Sequence, residues 1–142
     1  MATENNITPI TIEATINAPV EKVWEFWNNP EHIKKWAFAS PEWHAPKAEN
    51  DLRVGGAFST TMAAKDGSMS FDFGGTYDTV EENKLIAYTL EDGRKVKIVF
   101  EAAGDTTNIT ETFDPETQNP IEMQKGGWQA ILDNFKKHTE EN

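Results

Sequence analysis

One carboxylate stands where an apolar side chain would be expected. In NITETF, residues 108–113, Glu111 falls midway between Ile109 and Phe113, on the inward side of an alternating strand. A carboxylate held there loses hydration and its pKa rises, so it could accept a proton or anchor a ligand. Buried charges are normally paired, and the expectation is a partner such as Arg53. Arg53 shares one side of NDLRVGG with Asp51, so it could also fork onto an anion, with ion pairing again the simpler role. His44, beside Trp43 in an expected loop at a pocket rim, could act as a gate or a base. His32, in a short helix, and His138, near the end of the chain, are not placed to join it, so neither a metal centre nor a cofactor is expected.

Other chemistry lacks its signature. There is no GxSxG elbow, phosphate-cradling glycine loop, HExxH or dinucleotide fingerprint, and with no cysteine a thiol nucleophile is excluded. VGGAF and FGGTY read as strand bends. Of the five tryptophans, Trp24 and Trp27 lie on the core stripe of a helix, whereas Trp36, Trp43 and Trp128 come from elements that should meet near a pocket mouth.

The 142 residues carry 13 basic and 24 acidic side chains, a net charge of −11. That balance disfavours nucleic acid and anionic membrane surfaces as partners and favours basic or neutral ones. MATENNITP has no apolar leader region, and no apolar run reaches the roughly 18 residues of a membrane span. The expectation is one cytoplasmic domain over residues 1–142, with residues 1–6 disordered.

These side chains need a frame. Turn signals recur at Lys65-Asp66-Gly67, Glu81-Glu82-Asn83, Glu91-Asp92-Gly93 and Ala103-Gly104-Asp105, with strand-length segments between them. Alternation in Met69, Phe71, Phe73, in Ile86, Tyr88, Leu90 and in Val96, Ile98, Phe100 predicts an antiparallel meander. Gly74-Gly75 should interrupt the first of these as a bulge or bend. An earlier strand is expected over Ile7–Asn17, followed by two short helices, PVEKVWEFW and NPEHIKKW, the second opened by Asn29 and Pro30.

The last element is EMQKGGWQAILDNFKKH. Trp128, Ile131, Leu132 and Phe135 fall at i, i+3, i+4 and i+7, which predicts a long amphipathic helix. Asn119 should cap it, with Pro120 at its first position and Glu122 completing a capping box. Gly126 and Gly127 lie inside that helix, at a cost of roughly 1 kcal/mol each. Either something packs too closely there for a side chain, or the helix is weakened to bend, or room is left above Trp128 for a ligand.

The order of elements and the segments INAPVEKVWEFWNNPEHIKKW, HAPKAENDLRVGGAF, DGSMSFDFGGTYDTV, LEDGRKVKIVF and GGWQAILDNFKK resemble the START-like (SRPBCC) superfamily. More narrowly, they resemble single-domain homologues of the activator of heat-shock-protein-90 ATPase, with the likeness running from about Ile7 to His138. The resemblance implies an α+β helix-grip fold, a curved antiparallel sheet of six or seven strands wrapped around the C-terminal helix. In various members of the superfamily the enclosed cavity holds lipids, hormones or polyketides. The two-domain co-chaperone members carry a further N-terminal domain.

A cavity so placed would collect Trp36, Trp43, His44 and Arg53 at its mouth. Phe58, Phe71, Phe73, Tyr88, Ile98, Glu111 and Phe113 would come from the strands, and Gln124, Gly127, Trp128 and Ile131 from the helix. Binding of a small, largely apolar ligand is the leading expectation. A chaperone-associated protein is the second, and a cyclase-like or hydrolytic enzyme using Glu111, His44 or Arg53 the third.

Overall fold

A computed structural model describes residues 8–142. The expected disorder of residues 1–6, and Ile7 of the first expected strand, lie outside the described residues. Ten elements follow: β1 (Ile10–Ile16), α1 (Val20–Asn28), α2 (Pro30–Trp36), β2 (Trp43–Asn50), β3 (Ala57–Ala64), β4 (Ser70–Glu81), β5 (Leu85–Leu90), β6 (Lys95–Ala103), β7 (Thr106–Phe113) and α3 (Ile121–Glu141). The strands form one sheet in the order β1-β7-β6-β5-β4-β3-β2, with every neighbouring pair antiparallel. The sheet curls into a half-barrel whose inner face is covered by the helices. This is the α+β helix-grip fold.

The turns form where their residues allow it. Gly67, Asn83, Gly93 and Gly104 all take positive φ, between 64° and 94°, one in each of the four expected turns. Period-two burial then sorts β5, β6 and β7. In β7, Thr107, Ile109, Glu111 and Phe113 are buried and their neighbours less so; β6 buries Val96, Ile98 and Phe100 on the same face. Glu111 pairs directly with Ile12 of β1 and Ile98 of β6, so it sits mid-sheet on the inner face.

Three local expectations need correction. Gly74-Gly75 does not break β4: the strand runs through both, paired to Ser59 and Phe58. The glycines are required by close approach. A Cβ on Gly75 would lie 2.3 Å from the Thr89 carbonyl oxygen, and one on Gly74 2.6 Å from that of Phe58. The register shift with β5 lies further on, between Tyr77 and Thr79. Secondly, Trp43 and His44 open strand β2 instead of lying in a loop. Thirdly, Asn119 does not cap α3, which begins after Pro120 with no side-chain cap. The Asn119 carboxamide donates instead to Glu116, whose carboxylate also accepts from the backbone N–H groups of Gln118 and Asn119. The shorter α2 does carry its cap, Asn29 Oδ1 accepting from Glu31 N at 2.9 Å.

The core is continuous from α1 and α2 to the sheet. Val23, Ile16, Ile98, Ile109 and Phe135 are fully enclosed. Trp27 and Trp36 meet the Phe135 ring edge-on at 4.8 and 5.0 Å between centroids, which ties the C-terminal half of α3 to both short helices.

Candidate functional site

Between the N-terminal half of α3 and the strands β3, β4 and β5 the grip does not close. A cavity of about 310 Å³ remains, within the range of small-molecule sites. Eight of its lining residues are aromatic: Trp27, Trp36, Phe58, Phe71, Phe73, Tyr77, Tyr88 and Trp128. Alternation along β3 and β4 supplies Phe58, Thr60 and Met62, then Phe71, Phe73 and Tyr77. From α3, Gln124, Trp128, Ile131 and Leu132 succeed one another at helical spacing. Trp128 stacks flat on Phe113, with 3.8 Å between centroids and 7° between planes, and meets Phe73 edge-on at 5.8 Å.

Glu111 lines this cavity and is 5 % exposed. Among the described residues no ion pair or hydrogen bond reaches its carboxylate. Loss of hydration alone pushes its pKa up to about 8. Tyr88 is raised well above an ordinary phenol, first by burial and then by the Glu111 charge. The remaining polar groups are largely spoken for. The Tyr77 hydroxyl, itself raised by burial, donates to Asn50 Oδ1. Asn50 Nδ2 in turn donates to the Asn28 carbonyl at 2.8 Å, and Asn28 Nδ2 to the Trp24 carbonyl at 2.9 Å, which ties β2 and β4 to α1. Gln124 lines the cavity, yet its carboxamide is engaged by the preceding loop. It donates to the carbonyls of Glu116 and Asn119 and accepts from Glu116 N.

The cavity wall thus brings together Trp36, Phe58, Phe71, Phe73, Tyr88, Glu111, Gln124, Trp128 and Ile131 from the set drawn from sequence. The rest of that set lies elsewhere. Ile98 is enclosed in the core, and Phe113 lies behind Trp128. Trp43 packs against Phe71 at 5.9 Å, outside the lining, and His44 follows it on β2 opposite Ala63. The Arg53 side chain is 75 % exposed and bonds Asp51 at 3.0 Å, so it does not neutralise Glu111. Glu111, His44 and Arg53 do not converge. Gly127 is also outside the lining, and nothing lies within 4 Å of a Cβ built on it or on Gly126. Close packing therefore does not explain the glycine pair.

Among the residues of the wall not singled out from sequence are Glu49, Arg94, Glu116 and two instructive sets. Thr60 and Tyr77 continue alternations that are visible there, from Phe58 and, across the glycine pair, from Phe73. Asn28 and Asn50 carry no local signal, being made neighbours only by the tertiary fold. His138, near the end of the chain, meets His32: its Nε2 lies 3.0 Å from His32 Nδ1, with His32 stacked on Phe26.

A curled antiparallel sheet gripping a long C-terminal helix over an internal cavity defines a START/Bet v 1-like protein. Within that class, the family model described as activator of Hsp90 ATPase homolog 1-like protein matches residues 17–140, and the chain belongs to this family. The chain is similar to the AHSA1-like protein of Aeromonas hydrophila, at 45 % identity and a TM-score of 0.89 over 94 % of this chain and 93 % of that one. It is likewise similar to a protein of Cytophaga hutchinsonii, at 66 % identity and a TM-score of 0.81 over 94 % and 92 %. A Chromobacterium violaceum protein, 23 % identical over 94 % and 98 % of the two chains with a TM-score of 0.84, shares the fold. No curated protein matches the chain. Among the described residues no helix is long and apolar enough to cross a membrane.

Proposed function

We propose that this protein binds a small, largely apolar molecule in the cavity between β3–β5 and the first half of α3. The observation that carries the reading is an aromatic chamber left open in a protein whose other end is tightly packed. Filling that space with side chains would be favourable, since unfilled apolar volume forfeits contacts. Keeping it open supports a use for it. The sheet and α3 share one core, and the reading treats them as a single folding unit.

A fluorescence titration with 1-aminoanthracene, a flat apolar probe uncharged at neutral pH, tests this. Wild type should bind it saturably, whereas Ile131→Trp, which projects an indole into the chamber, should lose binding and keep its far-ultraviolet circular dichroism. Equal binding by a folded Ile131→Trp protein would refute the assigned site.

A second reading, contact with an Hsp90-type chaperone, draws on the description of the family and on the −11 charge. A pull-down with such a chaperone at low salt should recover the complex and lose it at high salt. No recovery at low salt would remove this reading.

A further inference from the structure

Glu111 poses a problem that the apolar chamber alone does not answer. A carboxylate 5 % exposed normally comes with a cation or several donors, because its hydration must be replaced. None is supplied here by the described residues. Among the described residues the only basic side chain in the cavity wall is Arg94, and its Nε is held by the Asp92 carboxylate at 2.8 Å. The other charged residues of the wall, Glu49 and Glu116, are acidic, and Glu49 is exposed with Lys47 at 3.7 Å. The chamber therefore has a negative balance, in a chain that is itself strongly acidic.

Its remaining surface points the same way. Phe58, Phe73, Tyr88 and Trp128 line the space, and aromatic rings attract cations most strongly where water is excluded. An ammonium group would bring the N–H donors that Glu111 lacks and the charge that the aromatic rings favour. An anion would be repelled by Glu111 as soon as that group ionised. A neutral hydroxyl or carbonyl can share a hydrogen bond with the protonated carboxyl group but brings no counter-charge for the ionised one.

We propose that the cavity takes an organic amine, its ammonium on Glu111 and its apolar body against Phe58, Phe73, Tyr88 and Trp128. This rests on the binding reading above and adds the chemical class of the ligand.

The proton balance follows. With a pKa near 8, Glu111 is mostly protonated in the empty protein at pH 7. On binding, its O–H bond breaks, the proton passes to solvent, and the ammonium keeps all of its own hydrogens. Affinity for the amine therefore rises close to tenfold per pH unit below 8 and levels off above it, until the ammonium itself titrates near the lysine range of about 10.4. The other groups that face the cavity with Glu111 are Tyr88 and Tyr77, both raised by burial, Glu116, lowered by its bonds to Asn119, and the charged Arg94 and Glu49. The first half of α3 presents Gln124, Trp128 and Ile131 to the cavity, none of which titrates.

Isothermal titration with three probes of matched body separates the possibilities: naphthalene-1-methylammonium, naphthalene-1-methanol and naphthalene-1-carboxylate. At pH 7.5 the ammonium should bind at least about tenfold more tightly than the alcohol, as expected for a charge-assisted hydrogen bond in an enclosed site. In buffers of different ionisation enthalpy it should release about three-quarters of a proton, the share of Glu111 still protonated at that pH. Glu111→Gln should abolish that preference and proton release while still binding the alcohol. If the alcohol or the carboxylate binds as tightly as the ammonium, or if Glu111→Gln keeps the preference, the amine assignment is wrong and the apolar-ligand reading stands. If none of the three binds wild type, both fail.

Discussion

The two halves of α3 lie against the same sheet and yet are built differently. In the C-terminal half, Phe135 and Thr139 are fully enclosed, and Phe135 is clasped by Trp27 and Trp36, whose rings also border the cavity. In the N-terminal half the helix starts without a side-chain cap, carries two adjacent glycines with open space beside them, and faces a chamber across Trp128 and Ile131. One half holds the domain together, and the other borders a space for something else. The contrast shows that a single amphipathic stripe can close a core at one end of a helix and border a cavity at the other.

The comparison can be broken by substitution, most severely at the packed end. Phe135→Ala should destabilise by about 3–5 kcal/mol in denaturant unfolding, the range for loss of an enclosed phenylalanine. Trp128→Ala, at the open end, should cost roughly 1–2 kcal/mol, chiefly the stacking on Phe113. Equal losses at the two positions would remove the distinction.

Glu111 gives the next largest effect, and it depends on pH. Its folded pKa lies above its unfolded value, so ionisation favours the unfolded chain, and wild type loses stability as pH rises from about 4.5 towards 8. Glu111→Gln escapes this. The variant should match wild type near pH 4.5 and exceed it by about 3 kcal/mol at pH 7, measured by unfolding at both pH values. A difference that does not change with pH would show that the carboxylate is solvated or paired.

The glycine pair sharpens the contrast more gently. With nothing within 4 Å of a Cβ placed on either residue, Gly126→Ala and Gly127→Ala should each stabilise by about 1 kcal/mol. Destabilisation by either would reveal a contact that this geometry lacks. The smallest effect belongs to Arg53→Ala. Its ion pair with Asp51 is solvent-exposed, so stability should stay within about 0.5 kcal/mol, and amine binding should be unchanged.

The legibility of the sequence follows the range of the interactions. Turns are readable because Gly67, Asn83, Gly93 and Gly104 carry their own conformational preference. The later strands of the meander and the three helices are readable because apolar residues repeat at their periods, and Glu111 stands out as a polar break in such a repeat. What escapes depends on partners distant in the chain or on local competition. Asn119 has the residue type of a cap but is drawn to Glu116. Gly74 and Gly75 look like a strand break until the neighbouring backbones of Phe58 and Thr89 are seen to need the space. Arg53 is a reasonable partner for Glu111 by charge, but Asp51, two residues away, holds it at the surface. Asn50 joins the wall through Asn28, a neighbour that no local pattern announces.

The central claim is that the open end of the grip holds a molecule. Native mass spectrometry of wild type and Ile131→Trp, purified gently side by side from the same cells, tests it most directly. The account predicts an additional mass on wild type that organic extraction removes and that the filled variant lacks. A bare mass for both proteins, or the same added mass on both, would contradict it.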